Sequence, residues 1–231
     1  MSPFAVKCER PQVKICGLTR TDEALACAAA GADAVGCVFY PKSPRCVSVD
    51  RAAEIRRVLP RRVAMVGVFV DTAVEDVVDI CGRAGIAVVQ LHGRETPGQV
   101  EQIVSAGLIA IKTLFANASP SLNDAETYPA DAFLVECAGG PLPGGNARAW
   151  DWSAAKPLAA KVPTVIAGGI TVETVCRAMS SAAADAVDVS SGVEIAPGRK
   201  SPEQVAAFID EVARCAAGLP ETDRLTRRIF P

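Results

Sequence analysis

The sequence predicts one domain folded as a (β/α)8 TIM barrel, in which eight parallel strands alternate with helices. Eight short runs rich in valine, isoleucine and alanine recur along the chain, and segments with helical spacing separate them. The runs are continuously apolar, which is typical of a parallel sheet covered on both faces. The chain has 231 residues, which is about the usual length of such a barrel and enough to bury one large core.

The predicted strands coincide with the eight apolar runs. An open doubly wound sheet is the alternative, but no GxGxxG follows the first run and no GxxxxGK[ST] occurs. These absences weaken the dinucleotide-binding and P-loop forms of that fold. In chain order the predicted strands are VKICG (13–17), AVGCVFY (34–40), RVAMVGVFV (62–70), AVVQLHG (87–93), IAIKTLFA (109–116), AFLVECA (132–138), PTVIAGG (163–169) and AVDVSSG (186–192).

Helical spacing between the strands predicts the outer layer. Several helical segments open on Ser, Thr or Asp, residues that can cap a helix. The fifth helix is the weakest because residues 117–129 are polar and end at a proline. We expect a domain over 1–231 with a short N-terminal lead (1–12) and a C-terminal extension (217–231), whose last stretch, 218–231, lies on the surface or frays. The clearest helices are TDEALACAAAGA (21–32), VDRAAEIRRVL (49–59), AVEDVVDICGRAG (73–85) and SPEQVAAFIDEVARCA (201–216).

Composition narrows the class of partner. The formal net charge of −2 and the lack of a basic or acidic block argue against nucleic acid, so a small molecule is expected. No signal-peptide pattern is present and no apolar run reaches the roughly 18 residues of a membrane helix, so we expect no membrane contact and a cytoplasmic location. The nine cysteines are odd in number and form no CxxC or Cys/His cluster, which argues against zinc and a disulfide framework.

Polar residues close several of the predicted strands. In a barrel of this kind the carboxyl ends of the strands carry the chemistry, so these residues predict what faces the site. The second strand leads into YPKSPR (40–45). The strand-end residues are Cys16 and Gly17 on the first strand, Asp71 on the third, Gln90 and His92 on the fourth, Lys112 on the fifth and Glu136 on the sixth.

The last two strands end in loops suited to a phosphate. Gly168 and Gly169 follow the seventh strand, and Ser190, Ser191 and Gly192 follow the eighth. Such barrels commonly hold a phosphate at these two loops, where backbone N–H groups can bind it. The alternative is that the glycines only form tight turns, but the coincidence of both loops favours a phosphorylated small-molecule ligand.

Six motifs between about Val13 and Ala213 form a recognisable set: KICGLTR (14–20), FYPKSPR (39–45), VGVFVD (66–71), QLHG (90–93), AGGI (167–170) and VDVSSGVE (187–194). The set resembles that of the phosphoribosylanthranilate isomerase family of tryptophan biosynthesis. The resemblance implies an Amadori rearrangement of N-(5-phosphoribosyl)anthranilate, which opens the ribose ring and gives the 1-deoxyribulose product. It also implies that no metal or organic cofactor takes part, and it leaves open a monomer or a homodimer.

The resemblance assigns roles to three side chains. It implies that Cys16 is the general base that removes the C2 proton of the sugar, that Glu136 occupies the position of the general acid, and that Arg45 binds the anthranilate carboxylate. Lys14 shares a strand face with Cys16 and could favour its thiolate, but an interior ion pair between Lys14 and Asp188 is the preferred interpretation. We expect the only histidine, in QLHG, to orient other groups rather than to catalyse.

The sixth strand departs from the family pattern. The family has an aspartate in a pattern like LLD, a GGTG or GGSG loop and then FDW, whereas this chain reads LVECAGGPLPGGNARAWDW. Glu136 adds a methylene, which displaces the carboxyl by roughly an ångström. Asn146, Ala147 and Trp150 are the other departures. The alternative is therefore a paralogue that acts on, or only binds, a related phosphorylated aminosugar. A sibling isomerase of histidine synthesis would need carboxylates where Cys16 and Lys112 stand.

Overall fold

Eight parallel strands close into a barrel in the order in which they occur in the chain. The computed structural model describes residues 7–139, 149–218 and 226–231. Each strand overlaps its predicted run, so the predicted closed barrel is confirmed. The barrel strands are β1 (Gln12–Cys16), β2 (Ala34–Val38), β3 (Ala64–Phe69), β4 (Val88–Leu91), β5 (Ile109–Phe115), β6 (Ala132–Glu136), β7 (Thr164–Ile166) and β8 (Ala186–Val189).

Helices cover the outside of the barrel after most strands. Side chains of Ser48, Thr96 and Ser201 each accept a backbone N–H at a helix start, which is the capping that the sequence predicts for such residues. Only a 3-10 turn, Leu122–Thr127, follows β5, in agreement with the weak fifth helix. The helices are α1 (Thr21–Ala30), α2 (Val49–Val58), α3 (Val74–Ala84), α4 (Pro97–Ser105), α5 (Lys156–Ala159), α6 (Val175–Ala182) and α7 (Pro202–Ala217).

The register of β1 determines which side chains lie together inside the barrel, toward the carboxyl ends of the strands. Lys14 on β1 is paired with Asp188 on β8, and Cys16 is paired with Gly36 on β2. A β-carbon on Gly36 would lie 2.8 Å from the Cys16 sulfur. Glycine at this position therefore leaves the room that the Cys16 thiol occupies.

The C-terminal residues close the opposite end of the barrel. Thr226–Arg227 pairs antiparallel with Lys7–Cys8, and Ile229 and Phe230 are 1% and 0% exposed. They pack against the apolar side chains inside the lower barrel. The expectation that residues 218–231 lie on the surface or fray is therefore wrong for 226–230, whereas Gly218 and Pro231 are exposed and residues 219–225 lie outside the described part of the chain.

One pair of cysteines is bonded. Cys176 on α6 and Cys215 on α7 form a disulfide, with 5.5 Å between their Cα atoms, and the other seven cysteines are free. The expectation against a disulfide framework thus needs correction at this one pair, because two adjacent helices bring together residues 39 positions apart.

None of the helices in the described ranges combines the length and the apolar character needed to cross a membrane.

Candidate active site

A cleft opens at the carboxyl ends of the barrel strands. Polar and apolar groups both line it, among them Gln90, His92 and Asp188. The strand ends and loops thus bring together in space the eight residues predicted from the sequence to have a catalytic or binding role, although they are spread over more than 170 positions of the chain. The predicted site residues that line the cleft are Cys16, Arg45, Glu136, Gly168, Gly169, Ser190, Ser191 and Gly192.

Cys16 ends β1 inside this cleft, and its side chain is buried. Burial raises the pKa of the Cys16 thiol, while the positive charge of Lys14 opposes this increase, with a smaller opposing effect from Lys200. Lys14 Nζ lies 3.0 Å from Asp188 Oδ1. The preferred interpretation of Lys14 as an interior ion pair is therefore confirmed, and the same ammonium group also acts on the thiol.

Glu136 ends β6 and is held by a chain of buried polar side chains. His92 Nε2 lies 3.1 Å from Glu136 Oε1, and His92 Nδ1 lies 2.8 Å from Gln90 Nε2 and 3.0 Å from Thr113 Oγ1. An amide nitrogen only donates, so Nδ1 accepts from Gln90 and Nε2 carries the ring proton toward Glu136. His92 therefore orients Glu136, as expected, and leaves Oε2 of the carboxyl to carry a proton.

Arg45 lines the cleft with its guanidinium held from one side. Its Nε and Nη2 donate to Glu194 Oε1 and Oε2 at 2.9 and 2.7 Å, and Lys200 Nζ donates to Glu194 Oε1 at 2.6 Å. All three side chains are largely buried. Gly17, with a φ of +84°, leaves space that the Arg45 side chain fills. The bidentate pair fixes the guanidinium and keeps Nη1 for another acceptor.

The two predicted phosphate loops offer backbone N–H groups. Gly168 and Gly169 have φ angles of +82° and +67°, which glycine adopts readily and other residues rarely do. Within the described residues, the backbone N–H groups of Gly168, Gly169, Ser191 and Gly192 donate no hydrogen bond. Since buried or half-buried N–H groups almost always have acceptors, this arrangement is suited to an anion.

Two strand-end residues do not face the cleft. Lys112 Nζ donates to the backbone oxygens of Leu91 and Gly93 and to Glu95 Oε2 at 2.7 Å. The side chain of Ile111 points into the barrel, so alternation turns Lys112 toward the helices. Asp71 lies beyond the end of β3 and accepts from the backbone N–H of Arg94. The expectation that Lys112 and Asp71 face the site is therefore wrong.

Two charged side chains beside Arg45, Glu194 and Lys200, could not be predicted from the sequence. Glu194 stands in the VDVSSGVE motif, but nothing in the motif indicates that its carboxylate holds Arg45, 149 positions earlier. Lys200 carries no local signal, because a single lysine in a polar stretch is ordinarily exposed. The departures Asn146 and Ala147 lie outside the described residues. Trp150 is described, and its indole N–H donates to the backbone oxygen of Ala167 at 3.0 Å.

Comparison with known proteins agrees with this geometry. A family model described as N-(5′-phosphoribosyl)anthranilate (PRA) isomerase matches residues 13–211. The N-(5′-phosphoribosyl)anthranilate isomerase of Desulfatibacillum aliphaticivorans is 47% identical over 203 residues, which cover 88% of this chain and 93% of that protein.

Solved structures give the same result. A phosphoribosyl anthranilate isomerase in complex with reduced 1-(o-carboxyphenylamino)-1-deoxyribulose 5-phosphate is 35% identical, with a TM-score of 0.78 over 90% of this chain and 100% of that one. Monomers generated from the dimeric enzyme of Thermotoga maritima are 34% identical, with a TM-score of 0.78 over the same shares of the two chains. The chain therefore belongs to the N-(5′-phosphoribosyl)anthranilate isomerase family.

Proposed function

We propose that this protein isomerises N-(5′-phosphoribosyl)anthranilate to 1-(2-carboxyphenylamino)-1-deoxyribulose 5-phosphate. The observation that carries the proposal is the meeting of a thiol, a carboxyl and two anion-binding loops in one cleft of a family member. The reaction needs an acid and a base on opposite sides of a sugar that is fixed at its phosphate. Cys16 and Glu136 supply the acid–base pair, and the loops after β7 and β8 supply the fixed end.

Proton transfer proceeds in two steps. Glu136 gives a proton to the ribose ring oxygen, the bond from that oxygen to C1 breaks, and the nitrogen lone pair forms a C1=N double bond. The Cys16 thiolate then removes the C2 proton, and the electron pair moves to form an enolamine that tautomerises to the ketone. Oε2 of Glu136 is suited to the first step because His92 occupies Oε1. Lys14 favours the thiolate for the second.

Arg45 binds the carboxylate of the anthranilate group in this proposal. Glu194 uses Nε and Nη2 of the guanidinium, so Nη1 and the second proton of Nη2 remain as donors. A guanidinium already fixed in place loses little further freedom when it binds, which favours a directional contact. The expected partner is thus a small phosphorylated aminosugar that carries an aromatic acid.

The remaining assignments are parts of the same proposal. We place the enzyme in the cytoplasm, as one domain over residues 1–231, and as a monomer or a homodimer. The dimeric relative from Thermotoga maritima and the monomers generated from it support both assembly states. Size-exclusion chromatography with light scattering distinguishes a 24.0 kDa monomer from a dimer.

A coupled assay tests the activity. Phosphoribosylanthranilate is generated freshly in the cuvette, and loss of its anthranilate fluorescence is followed after addition of the protein. Turnover with this substrate is the expected result. Binding of the substrate without turnover would identify a paralogue that only binds, and turnover of an aminoimidazole ribonucleotide alone would identify the sibling isomerase reaction. Either result would contradict the proposal.

A further inference from the structure

We propose that the indoles of Trp150 and Trp152 set the direction of two backbone N–H groups that bind the substrate phosphate. The inference rests on the proposed phosphate site after β7. It assigns to the two tryptophans a positioning role, because they act on the loop and the loop acts on the substrate. Neither side chain belongs to the lining of the cleft as formed by the described residues.

The two indoles bind consecutive peptide units of the β7 loop. Trp150 Nε1 donates to the backbone oxygen of Ala167 at 3.0 Å, and Trp152 Nε1 donates to the backbone oxygen of Gly168 at 3.1 Å. In a trans peptide the oxygen of one residue and the N–H of the next point in opposite directions. Among the described residues the only cis peptide is Ser119–Pro120, so both units of this loop are trans.

The direction of the N–H groups follows from these bonds. Because Trp150 holds the Ala167 oxygen, the N–H of Gly168 points away from Trp150. Because Trp152 holds the Gly168 oxygen, the N–H of Gly169 points away from Trp152. Both N–H groups belong to residues of the cleft and donate no hydrogen bond within the described part of the chain. The indoles thus prevent the two peptide units from rotating and keep the donors available to an anion.

Packing around the indoles restricts their movement. A β-carbon on Gly168 would lie 3.1 Å from Trp150 Nε1, so the indole rests directly against the loop backbone. Trp152 is 3% exposed, and the Arg177 guanidinium lies over its ring at 5.2 Å. Arg177 belongs to α6, which follows the same loop, and therefore ties the indole to the next element of the chain.

Trp150 adds a bond that a phenylalanine would lack. The family resemblance expects FDW at this place, and this chain has Trp150-Asp151-Trp152. Phenylalanine is also aromatic, but it is smaller and has no donor for the Ala167 oxygen. Tryptophan at position 150 therefore orients the first peptide unit by a hydrogen bond.

The test combines Trp150→Phe with inorganic phosphate as the probe. The measurements are kcat, KM, and the inhibition constant of inorganic phosphate in the coupled assay. Loss of one hydrogen bond to the loop should raise both KM and the phosphate inhibition constant about three- to tenfold and leave kcat within about twofold. Tyr128→Phe is the control, since it removes one aromatic donor that has no bond to the loop, and it should change none of the three.

Intrinsic fluorescence gives a second, independent measurement. The chain contains two tryptophans, so Trp152→Phe leaves Trp150 as the only indole and Trp150→Phe leaves Trp152. Phosphate does not absorb at the wavelengths used, and its binding should change the emission of each variant at concentrations near its inhibition constant. This experiment remains decisive if one of the two variants fails to fold.

The outcomes separate the inference from the proposed function. If phosphate inhibits the parent protein, but Trp150→Phe leaves KM and the phosphate inhibition constant unchanged and phosphate does not change the emission of either variant, the indoles do not position the loop and the inference is wrong. A lower melting temperature with unchanged KM has the same meaning, because it shows a structural role only. If phosphate neither inhibits nor binds the parent protein, the proposed phosphate site is wrong, and the inference is wrong with it.

Discussion

The two ends of this barrel are built from the same eight strands but differ in how fully their polar groups are hydrogen-bonded. At the carboxyl end, Lys14 and Asp188 form an ion pair without a well-directed hydrogen bond. The N–H groups of the loops after β7 and β8 are left free of acceptors in the described residues. At the amino end, Gln12 Oε1 accepts from the backbone N–H groups of Ile229 and Phe230, and Gln12 Nε2 donates to the Phe230 oxygen.

This difference indicates that polar groups at the amino end stabilise the fold, whereas polar groups at the carboxyl end are available for binding and catalysis. Asp185, at the amino end, accepts from the backbone N–H of Thr164 and from the Arg227 side chain, so its charge is fully compensated. The loop N–H groups without acceptors and the thiol of Cys16, whose pKa burial raises, lie at the carboxyl end, as expected for the proposed site. Changes at one end should therefore alter rate, and changes at the other should alter stability.

The largest effect is expected at Cys16. Without its thiol the C2 proton has no base, so Cys16→Ala should lower kcat by about 10²–10⁴ and change KM little. Cys37→Ala is the matched control, because Cys37 is also a buried cysteine of the barrel but does not line the cleft. It should keep kcat within about twofold. A kcat for Cys16→Ala within twofold of the parent would remove Cys16 from the mechanism.

Phe230→Ala tests the amino end. The side chain is fully buried against the lower barrel, so its truncation should lower the free energy of unfolding by about 3–5 kcal/mol, as measured by urea denaturation. At temperatures where the variant remains folded, kcat and KM should match the parent. Leu25→Ala on the exposed face of α1 is the control and should change stability by under about 0.5 kcal/mol. A parallel loss of kcat in the folded variant would show that the two ends are coupled.

Two substitutions at Glu136 distinguish the need for a proton donor from the need for a particular position of the carboxyl group. Glu136→Gln cannot donate a proton from the same position and should lower kcat by about a hundredfold or more. Glu136→Asp keeps the acid and restores the residue that the family pattern expects, so it should retain or raise activity. Steady-state kinetics of both variants give the comparison. Equal activity of the two would mean that another group protonates the ring oxygen.

The carboxyl end of the barrel was more predictable from the sequence than the amino end. The strands and the β7 and β8 loops were predictable because their signals are local: apolar runs, glycines and short motifs. The role of residues 226–231 was not, since the apolar surface that receives Phe230 exists only after eight distant strands close. The hydrogen bonds that Arg45 donates to Glu194 could not be predicted for the same reason. Lys112 was misplaced by one step of strand alternation, which reverses the face of a side chain.

The smallest expected effect is the pH dependence of the base. Burial raises the pKa of the Cys16 thiol, and the base acts only when deprotonated, so the active fraction should rise with pH below that pKa. We expect the rate at which a small thiol reagent alkylates Cys16, measured as the difference between the parent and Cys16→Ala, to increase by up to about tenfold per pH unit between roughly pH 6.5 and 8.5, since only the thiolate reacts. This rate reports the thiol alone, whereas kcat/KM also requires the proton on Glu136. Glu136→Asp is the control and should show the same rise, because it leaves the surroundings of the thiol unchanged. A flat profile across this range would mean that Lys14 and Lys200 outweigh burial and that the thiolate already predominates at neutral pH.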